Sequence, residues 1–425
     1  MKFWHRVEIF AVAAAMTVSA AFLPVWADSE SESDRSGDLN ADGYTNTSDV
    51  VLLRRYIAGG YDVTVDELEA DLNSDGYINT SDVVLLRRGI AGGYDVEWMP
   101  LPGHYTQEDV CVSPSLTGYR DFAACAEETF VVPGLSQAIV PQGMDYWAEK
   151  ELMLISGYCS ESGGGSVLLA VNVNSGRLTA AYSLKNMDGS NYTGHAGGVA
   201  VTKKNVYISD GSKLRRIPLT ALERSGTVSF AEEISVPVHA SFCNYSGGFL
   251  WVGDFYRDTT HPTEEFRHMV NRDGTTYCAW AVGYELDETT ENEFKTKSLV
   301  NGSYATPDRI LSITDRIQGM AYLHEQGKIA LSQSYGRKNN STLYLFDDPM
   351  SGAAHTTVTL NNVSVPVWFL DGKVSCENMT MLPMSEGVAN VNGKVYVLFE
   401  SGAEKYRLDG GKMPTDMVYA VEVSK

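Results

Sequence analysis

Apolar residues first gather between Ile9 and about Val25, preceded by Lys2, His5 and Arg6 and closed by Val25-Trp26-Ala27. A basic start, an apolar middle and a small-residue end predict a signal peptide over residues 1–27, followed by a polar, disordered spacer over 28–36. No other stretch reaches the roughly eighteen apolar residues that a membrane-spanning helix needs. Two blocks then follow, residues 38–62 and 71–95, that differ only at Ala41/Ser74, Thr45/Ile78 and Tyr56/Gly89. In each block a polar loop leads into VVLLRR(Y/G)IAG. Val50, Leu53 and Ile57 fall on one helical face and Leu52 and Tyr56 on another, which predicts a helix after each loop. Gly59-Gly60 and Gly92-Gly93 supply the stops. Thr64 followed by Glu67 predicts a capping box for a short linking helix through Ala70.

Beyond a short linker over 97–104, which carries two prolines and little Gly/Ser, the period changes. Short apolar alternations are punctuated by Gly, Asn and Asp, among them Leu152–Gly157, Val167–Val173, Val206–Ser209, Phe249–Gly253, Lys328–Ser332, Leu343–Phe346, Val395–Phe399 and Val418–Val423. Five segments share one plan: 142–158, 197–211, 240–255, 318–336 and 386–402. Each has a small residue, an alternating strand, a polar turn and a stronger apolar strand. Three continue into a further strand, expected at Lys213–Ile217, Thr342–Phe346 and Lys405–Leu408. Five such units predict a five-bladed β-propeller over residues 105–425, with a β-sandwich as the alternative. Residues 127–133 (ETFVVPG) are expected to close the ring against the last blade. The fold class is therefore multidomain: a small all-α module, residues 37–96, followed by an all-β domain.

The two loops carry the clearest chemistry. Oxygen-bearing residues occupy positions 1, 3, 5, 9 and 12 of each, with glycine at position 6, which is the ligand spacing of an EF-hand calcium loop. The candidate ligands are Asp38, Asn40, Asp42, the carbonyl of Tyr44, Asn46 and Asp49 in the first loop. In the second they are Asp71, Asn73, Asp75, the carbonyl of Tyr77, Asn79 and Asp82. Alternating hard oxygens suit calcium, so two calcium ions are expected. Position 12 is Asp rather than the longer Glu, and the residues before Asp38 offer no apolar face for an entering helix. The first unit is thus half an EF-hand, a loop plus its exit helix.

Duplicated half-hands, Asp at position 12 and polar pairs at positions 10 and 11 resemble the type I dockerin, the module that joins cellulosomal proteins to cohesin domains of a scaffoldin. The resemblance implies cohesin contacts at Thr47, Ser48, Arg54 and Arg55 and, by symmetry, at Thr80, Ser81, Arg87 and Arg88. It implies calcium-dependent docking in either of two orientations, and a secreted, extracellular, cellulosome-associated protein. Gly59 and Gly92 stand where the family often carries a further basic or polar contact. The all-β domain resembles, loosely, secreted bacterial propeller proteins of unknown function.

A formal net charge of −21 argues against nucleic acid or an anionic membrane as partner. The six cysteines (111, 125, 159, 243, 278, 376) match no zinc spacing. Cys111 and Cys125 are near enough for a local disulfide, and free thiols are an equal reading. In a propeller the blade starts border the central channel, which nominates Gln142, Asp145, His195, His239, Gln318 and Glu386, with Asp210 and Asp254 at strand ends. Asp145, Asp254 and Glu386 are the candidate catalytic carboxylates of a polysaccharide hydrolase or esterase, provided their spacing is about 5–10 Å. Tyr146, Trp147, Trp251, Phe255, Tyr256, Trp280 and Trp368 could stack on sugar rings or pack the core. No nucleophile elbow, P-loop or HExxH occurs. Two readings of the domain follow: a module that binds plant polysaccharide or protein without reaction, or a carbohydrate-active enzyme.

Overall fold

The computed structural model describes residues 37–423 except 43, 60, 74, 92–104, 106, 108–113, 223–225, 296–302 and 409–411. The expected signal peptide, spacer and linker, and the second glycine stop, lie outside the described residues.

The N-terminal module consists of α1 (Thr47–Ala58), the short α2 (Glu67–Ala70) and α3 (Thr80–Ala91). The duplicated sequence produces a duplicated core: Leu39 and Leu72, Val50 and Val83, and Leu53 and Leu86 are all buried in one cluster, with Ala70 beneath them. Asn46 caps α1, its side chain accepting from the Ser48 amide at 2.8 Å. Asp49 answers through Oδ2, which accepts from the Asn46 amide at 2.8 Å. Loop positions 9 and 12 therefore start the helix as well as lining the loop. In α2 the observed first-turn acceptor is Asp66, whose Oδ1 takes the Glu69 amide at 3.3 Å. Glu67 is turned instead toward Tyr56 Oη and Arg177.

After α4 (Arg120–Cys125) the described residues form twenty-five strands, β1 to β25. Twenty-three of them build five blades; β13 (Met269–Val270) and β14 (Thr276–Tyr277) form a separate two-stranded ribbon. Blade 1 holds β2 (Ile139–Trp147), β3 (Leu152–Cys159), β4 (Val167–Asn172) and β5 (Leu178–Lys185). Blade 2 holds β6 (Gly198–Val201), β7 (Asn205–Asp210), β8 (Lys213–Pro218) and β10 (Glu232–Ser235). Blade 3 holds β11 (Phe242–Ser246), β12 (Phe249–Gly253), β15 (Ala279–Glu285) and β16 (Arg309–Ile313). Blade 4 holds β17 (Ile317–Leu323), β18 (Lys328–Gln333), β19 (Ser341–Asp347) and β22 (Cys376–Met381). Blade 5 holds β23 (Ser385–Val391), β24 (Lys394–Phe399), β25 (Met417–Val421) and, from the start of the domain, β1 (Ala126–Val131). The expected closing strand thus pairs antiparallel with the last one, and the five sequence repeats are the five inner hairpins.

Three strands leave their own blade. β9 (Thr227–Ser229) pairs in parallel with β5, stitching blade 2 to blade 1. The hairpin β20 (Thr356–Leu360) and β21 (Val363–Phe369) reaches back from blade 4 to pair in parallel with β16. One expectation is corrected: Lys405–Leu408 is not a strand but lies in a helix, Glu404–Leu408, and the third strand of blade 5 is β25. Glu-Lys-Tyr-Arg-Leu lacks period-2 alternation and contains good helix formers, which explains the difference.

Each pair of neighbouring blades encloses its own apolar cluster, five in all. Blades are therefore covered on both faces, and a strand such as β4 (VLLAVN) is buried at every position. Trp251 and Trp280 are wholly buried in these clusters, and Trp147 and Trp368 nearly so; these rings pack the core.

At the axis the inner strands touch backbone to backbone. A Cβ on Gly143 would lie 2.4 Å from Gly198 Cα, and one on Gly198 would lie 2.3 Å from the Cys243 amide nitrogen. Gly319 and Gly387 show the same crowding, Gly387 against the backbone of Gln142 and Met144. Four glycines and Cys243 thus form a waist that only residues with little or no side chain there can make.

Candidate functional site

Both polar loops curl inward as calcium-type loops do. In the first, the Asp42 amide donates to Asp38 Oδ1 (3.2 Å) and Asn40 Oδ1 (3.0 Å), and the Tyr44 amide donates to Asp42 Oδ1 (2.9 Å). The second repeats this: the Asp75 amide donates to Asp71 Oδ1 and Asn73 Oδ1 (both 3.1 Å), and the Tyr77 amide to Asp75 Oδ1 (2.9 Å). Asp49 and Asp82 are fully buried at the loop ends and accept the Leu39 and Leu72 amides, each at 2.9 Å. Burial pushes the Asp82 carboxyl upward, against the pull of its amide donors. An all-oxygen donor set that includes a buried carboxylate in each loop fits a hard divalent cation, which would remove the cost of keeping that charge from water. Thr47, Ser48, Arg54, Arg55, Thr80, Ser81, Arg87 and Arg88 are all exposed on α1 and α3.

The second site is the mouth of the propeller at which the inner strands begin. A cavity of about 470 Å³ opens there. Gln142, His195, Asp210, His239, Gln318 and Glu386, all nominated from sequence, line it together with Glu400, Phe255, His261, Tyr335, Arg337 and Tyr406. At its floor Glu386 and Glu400 hydrogen-bond each other. Gln318 Nε2 donates to Glu386 Oε1 (2.9 Å), and Gln142 Nε2 donates to Glu400 Oε2 (3.1 Å). Burial first, and then the facing Glu400, raises the Glu386 carboxyl well above the usual range; burial also raises Glu400. Two carboxyls this close share a proton rather than both ionise. Beside them, Tyr406 Oη hydrogen-bonds Glu400. Tyr158 stacks on His195 with centroids 4.7 Å apart, and Lys405 Nζ donates to Tyr158 Oη at 2.9 Å. Burial lowers the His195 and His239 imidazoles, which favours their neutral forms. Among the described residues that line the cavity, no three histidines, cysteines or acids gather into a group that could hold a metal ion.

The three candidate catalytic carboxylates are not brought together. Asp145 is 3% exposed and locks three blades. It accepts from the Val201 amide (2.8 Å) of blade 2, from Asn244 Nδ2 (2.8 Å) and the Tyr245 amide (3.1 Å) of blade 3, and from its neighbour Tyr146. Burial nevertheless raises its pKa to about 7. Asp254 is fully buried, pairs with Arg267 at 3.0 Å, and accepts the His239 amide at 2.8 Å. Glu386 alone of the three lines the cavity, and its partner there is Glu400, which the repeat pattern did not single out. The available signal was positional: Asp254, Ser334 and Glu400 each directly follow the second strand of an inner hairpin.

The shared proton has a measurable consequence. A carboxyl whose folded pKa is raised binds more protons folded than unfolded, so its stability contribution is complete below the unfolded value of about 4.3 and is lost as pH rises toward the folded value. Glu386→Gln keeps an oxygen for Gln318 and removes this penalty. The variant is expected to melt a few degrees above the parent at pH 7, each tenfold change in proton affinity being worth about 1.4 kcal/mol, and level with it near pH 4. Equal melting temperatures at both pH values would contradict a proton-sharing pair.

Residues 36–91 match the family model of the dockerin type I domain. No curated protein matches the sequence. Among solved structures, the chain is similar to Myxococcus xanthus glutaminyl cyclase at 9% identity and a TM-score of 0.35, over 70% of this chain and 95% of that one. It is similar to a putative oxidoreductase (glucose dehydrogenase) of Thermus thermophilus at 11% identity and TM-score 0.35, over 70% and 99% of the two chains. It is also similar to XC5397, a gluconolactonase of Xanthomonas campestris, at 9% identity and TM-score 0.32, over 75% and 99%. Together with the duplicated loops and their exit helices, the match identifies residues 36–91 as a type I dockerin domain, carried on a five-bladed β-propeller.

Proposed function

We propose that this is a secreted cellulosome component whose propeller binds a plant polysaccharide at its mouth without cleaving it. In this reading two calcium ions, held by the Asp, Asn and Tyr-carbonyl oxygens of the two loops, order the dockerin. Thr47, Ser48, Arg54 and Arg55, or their counterparts Thr80, Ser81, Arg87 and Arg88, then meet a scaffoldin cohesin. The observation that carries the binding reading is the Glu386–Glu400 hydrogen bond. Paired carboxylates of glycosidases stand about 5 Å or more apart, leaving room for the anomeric carbon or a water. Two carboxyls in hydrogen-bond contact leave no such room. What the cavity does offer is rings (Phe255, Tyr335, Tyr406) beside hydroxyl-matching imidazoles and carboxyls, the mixture that sugar rings use.

The test is retention of the full chain on a panel of plant polysaccharides with product release read in parallel. Retention without products is expected, and Tyr335→Ala is expected to weaken it about fivefold, the worth of one aromatic contact. Released oligosaccharides or acetate, lost in Glu386→Gln, would replace the binding reading with the hydrolase or esterase reading. No retention on any polysaccharide would sink both.

A further inference from the structure

The two calcium loops are nearly identical in sequence and unequal in surroundings. Tyr44 of the first loop is 73% exposed, whereas its counterpart Tyr77 is 39% exposed. Asn40 and Asp42 are exposed, while Asn73 and Asp75 are half-buried and Gly76 is buried. The cover comes from the β4–β5 turn of blade 1. Asn172 Nδ2 donates to the Asp75 carbonyl at 2.7 Å. Gly76 packs so closely that a Cβ there would sit 2.5 Å from Asn172 Cβ and 2.9 Å from Ser175 Oγ. Arg177, at the end of the same turn, pairs with Glu67 of α2 at 3.5 Å, and Glu67 also accepts from Tyr56 Oη of α1. Tyr56 is one of the three positions at which the repeats differ, glycine replacing it at position 89. Gln107, in the segment that joins the two domains, fastens the turn from the other side through the Gly176 carbonyl (2.5 Å) and the Leu178 amide (2.6 Å).

We propose that the β4–β5 turn is a clasp for the second calcium loop, so that the propeller holds loop 71–82 in its metal-bound shape and leaves loop 38–49 to fold on its own. Asn172 fixes the peptide between loop positions 5 and 6, where the chain reverses so that ligands on both sides meet one ion. An internal hydrogen bond to that peptide restrains the loop in the shape that binds metal, so calcium leaves the clasped loop more slowly than the open one. The sequence repeats therefore encode two sites of different lifetime, and the difference resides in the propeller.

Asn172 also shapes its own turn, its Oδ1 accepting the Asn174 (3.0 Å) and Ser175 (2.8 Å) amides. The informative variant is therefore Asn172→Asp, which keeps that acceptor and removes the donor; Arg177→Ala tests the second contact independently. On the full chain, hydrogen exchange is followed separately in segments 38–49 and 71–82, with calcium and with chelator. Calcium release into a chelating dye is timed in parallel. The parent is expected to show a better protected second loop and two release phases. In both variants exchange rises only in 71–82, and Asn172→Asp speeds the slow phase roughly fivefold, the worth of one ordinary hydrogen bond. Equal protection of the two loops in the parent, or a variant effect absent or shared by both loops, overturns the clasp. The proposal rests on the calcium reading, which fails separately if no calcium is released at all; the exchange measured in chelator still tests the contact.

Discussion

Chelation of calcium is expected to weaken cohesin binding by the full-length chain at least a hundredfold. Each loop brings three aspartates within twelve residues, at positions 1, 5 and 12. In Asp49 and Asp82 the third is wholly buried. Without a cation these carboxylates repel one another, and the buried member loses what offsets its desolvation. The same two residues accept the amides that close each loop onto its helix: Leu39 and Asn46 donate to Asp49, Leu72 and Asn79 to Asp82. Loss of metal therefore frays the starts of α1 and α3, where Thr47, Ser48, Thr80 and Ser81 stand. Titration calorimetry against a cohesin, with calcium and then with chelator, measures the effect. The double variant Asp49→Ala, Asp82→Ala should reproduce the chelated state in the presence of calcium. An unchanged dissociation constant in chelator would remove calcium from the account of docking.

Gly143→Ala is expected to cost about 3 kcal/mol or more, in the range of severe overpacking. The added methyl would stand 2.4 Å from Gly198 Cα and 2.5 Å from the Val199 amide nitrogen, with Ser156 Oγ at 2.6 Å. Two of those neighbours are backbone of the adjacent blade, so no rotamer change relieves the clash, and the inner strands must part. Gly118→Ala is the matched control, since nothing lies within 4 Å of its added Cβ. A melting temperature lowered by about 5 °C or more in Gly143→Ala and nearly unchanged in Gly118→Ala is the expected pair of results. Similar values for the two would mean that the waist is more compliant than its geometry implies.

These two regions were also the most legible in the sequence, for a shared physical reason. Ligand spacing in a calcium loop is set within a few residues of chain, and the glycine of an inner strand by crowding against the next blade that repeats around the axis. They recur wherever the unit recurs, so repetition exposes them. Residues 142–158, 197–211, 240–255, 318–336 and 386–402 announced the inner hairpins on that basis. What stayed hidden depends on partners far away in sequence. The parallel additions β9 and β21 pair with another blade, and nothing in Thr227–Ser229 or Val363–Phe369 names that blade. Asp145 has the composition of a channel acid and the surroundings of a structural one, because its acceptors are filled by Val201, Asn244 and Tyr245. Glu400 reaches Glu386 across their own hairpin, where Ser385 pairs with Phe399, but the repeat pattern offered no reason to single it out. Asn172 falls within the expected strand Val167–Val173, and its donor to Asp75 is visible only in three dimensions.

The closure seam has a mechanical side. A dockerin attached to a scaffold transmits force, and in this chain the dockerin precedes β1. In the proposed reading, tension between the scaffold and a ligand at the mouth reaches the ring through the Asn172 and Arg177 contacts of blade 1 and through β1, which is held to β25 by five residue pairs from Ala126↔Val421 to Val131↔Met417. A pull along β1 loads that ladder in shear, so its hydrogen bonds share the load instead of peeling one after another. Strands that only complete a ring at rest thereby become the part that decides how hard the cargo can be pulled before it opens.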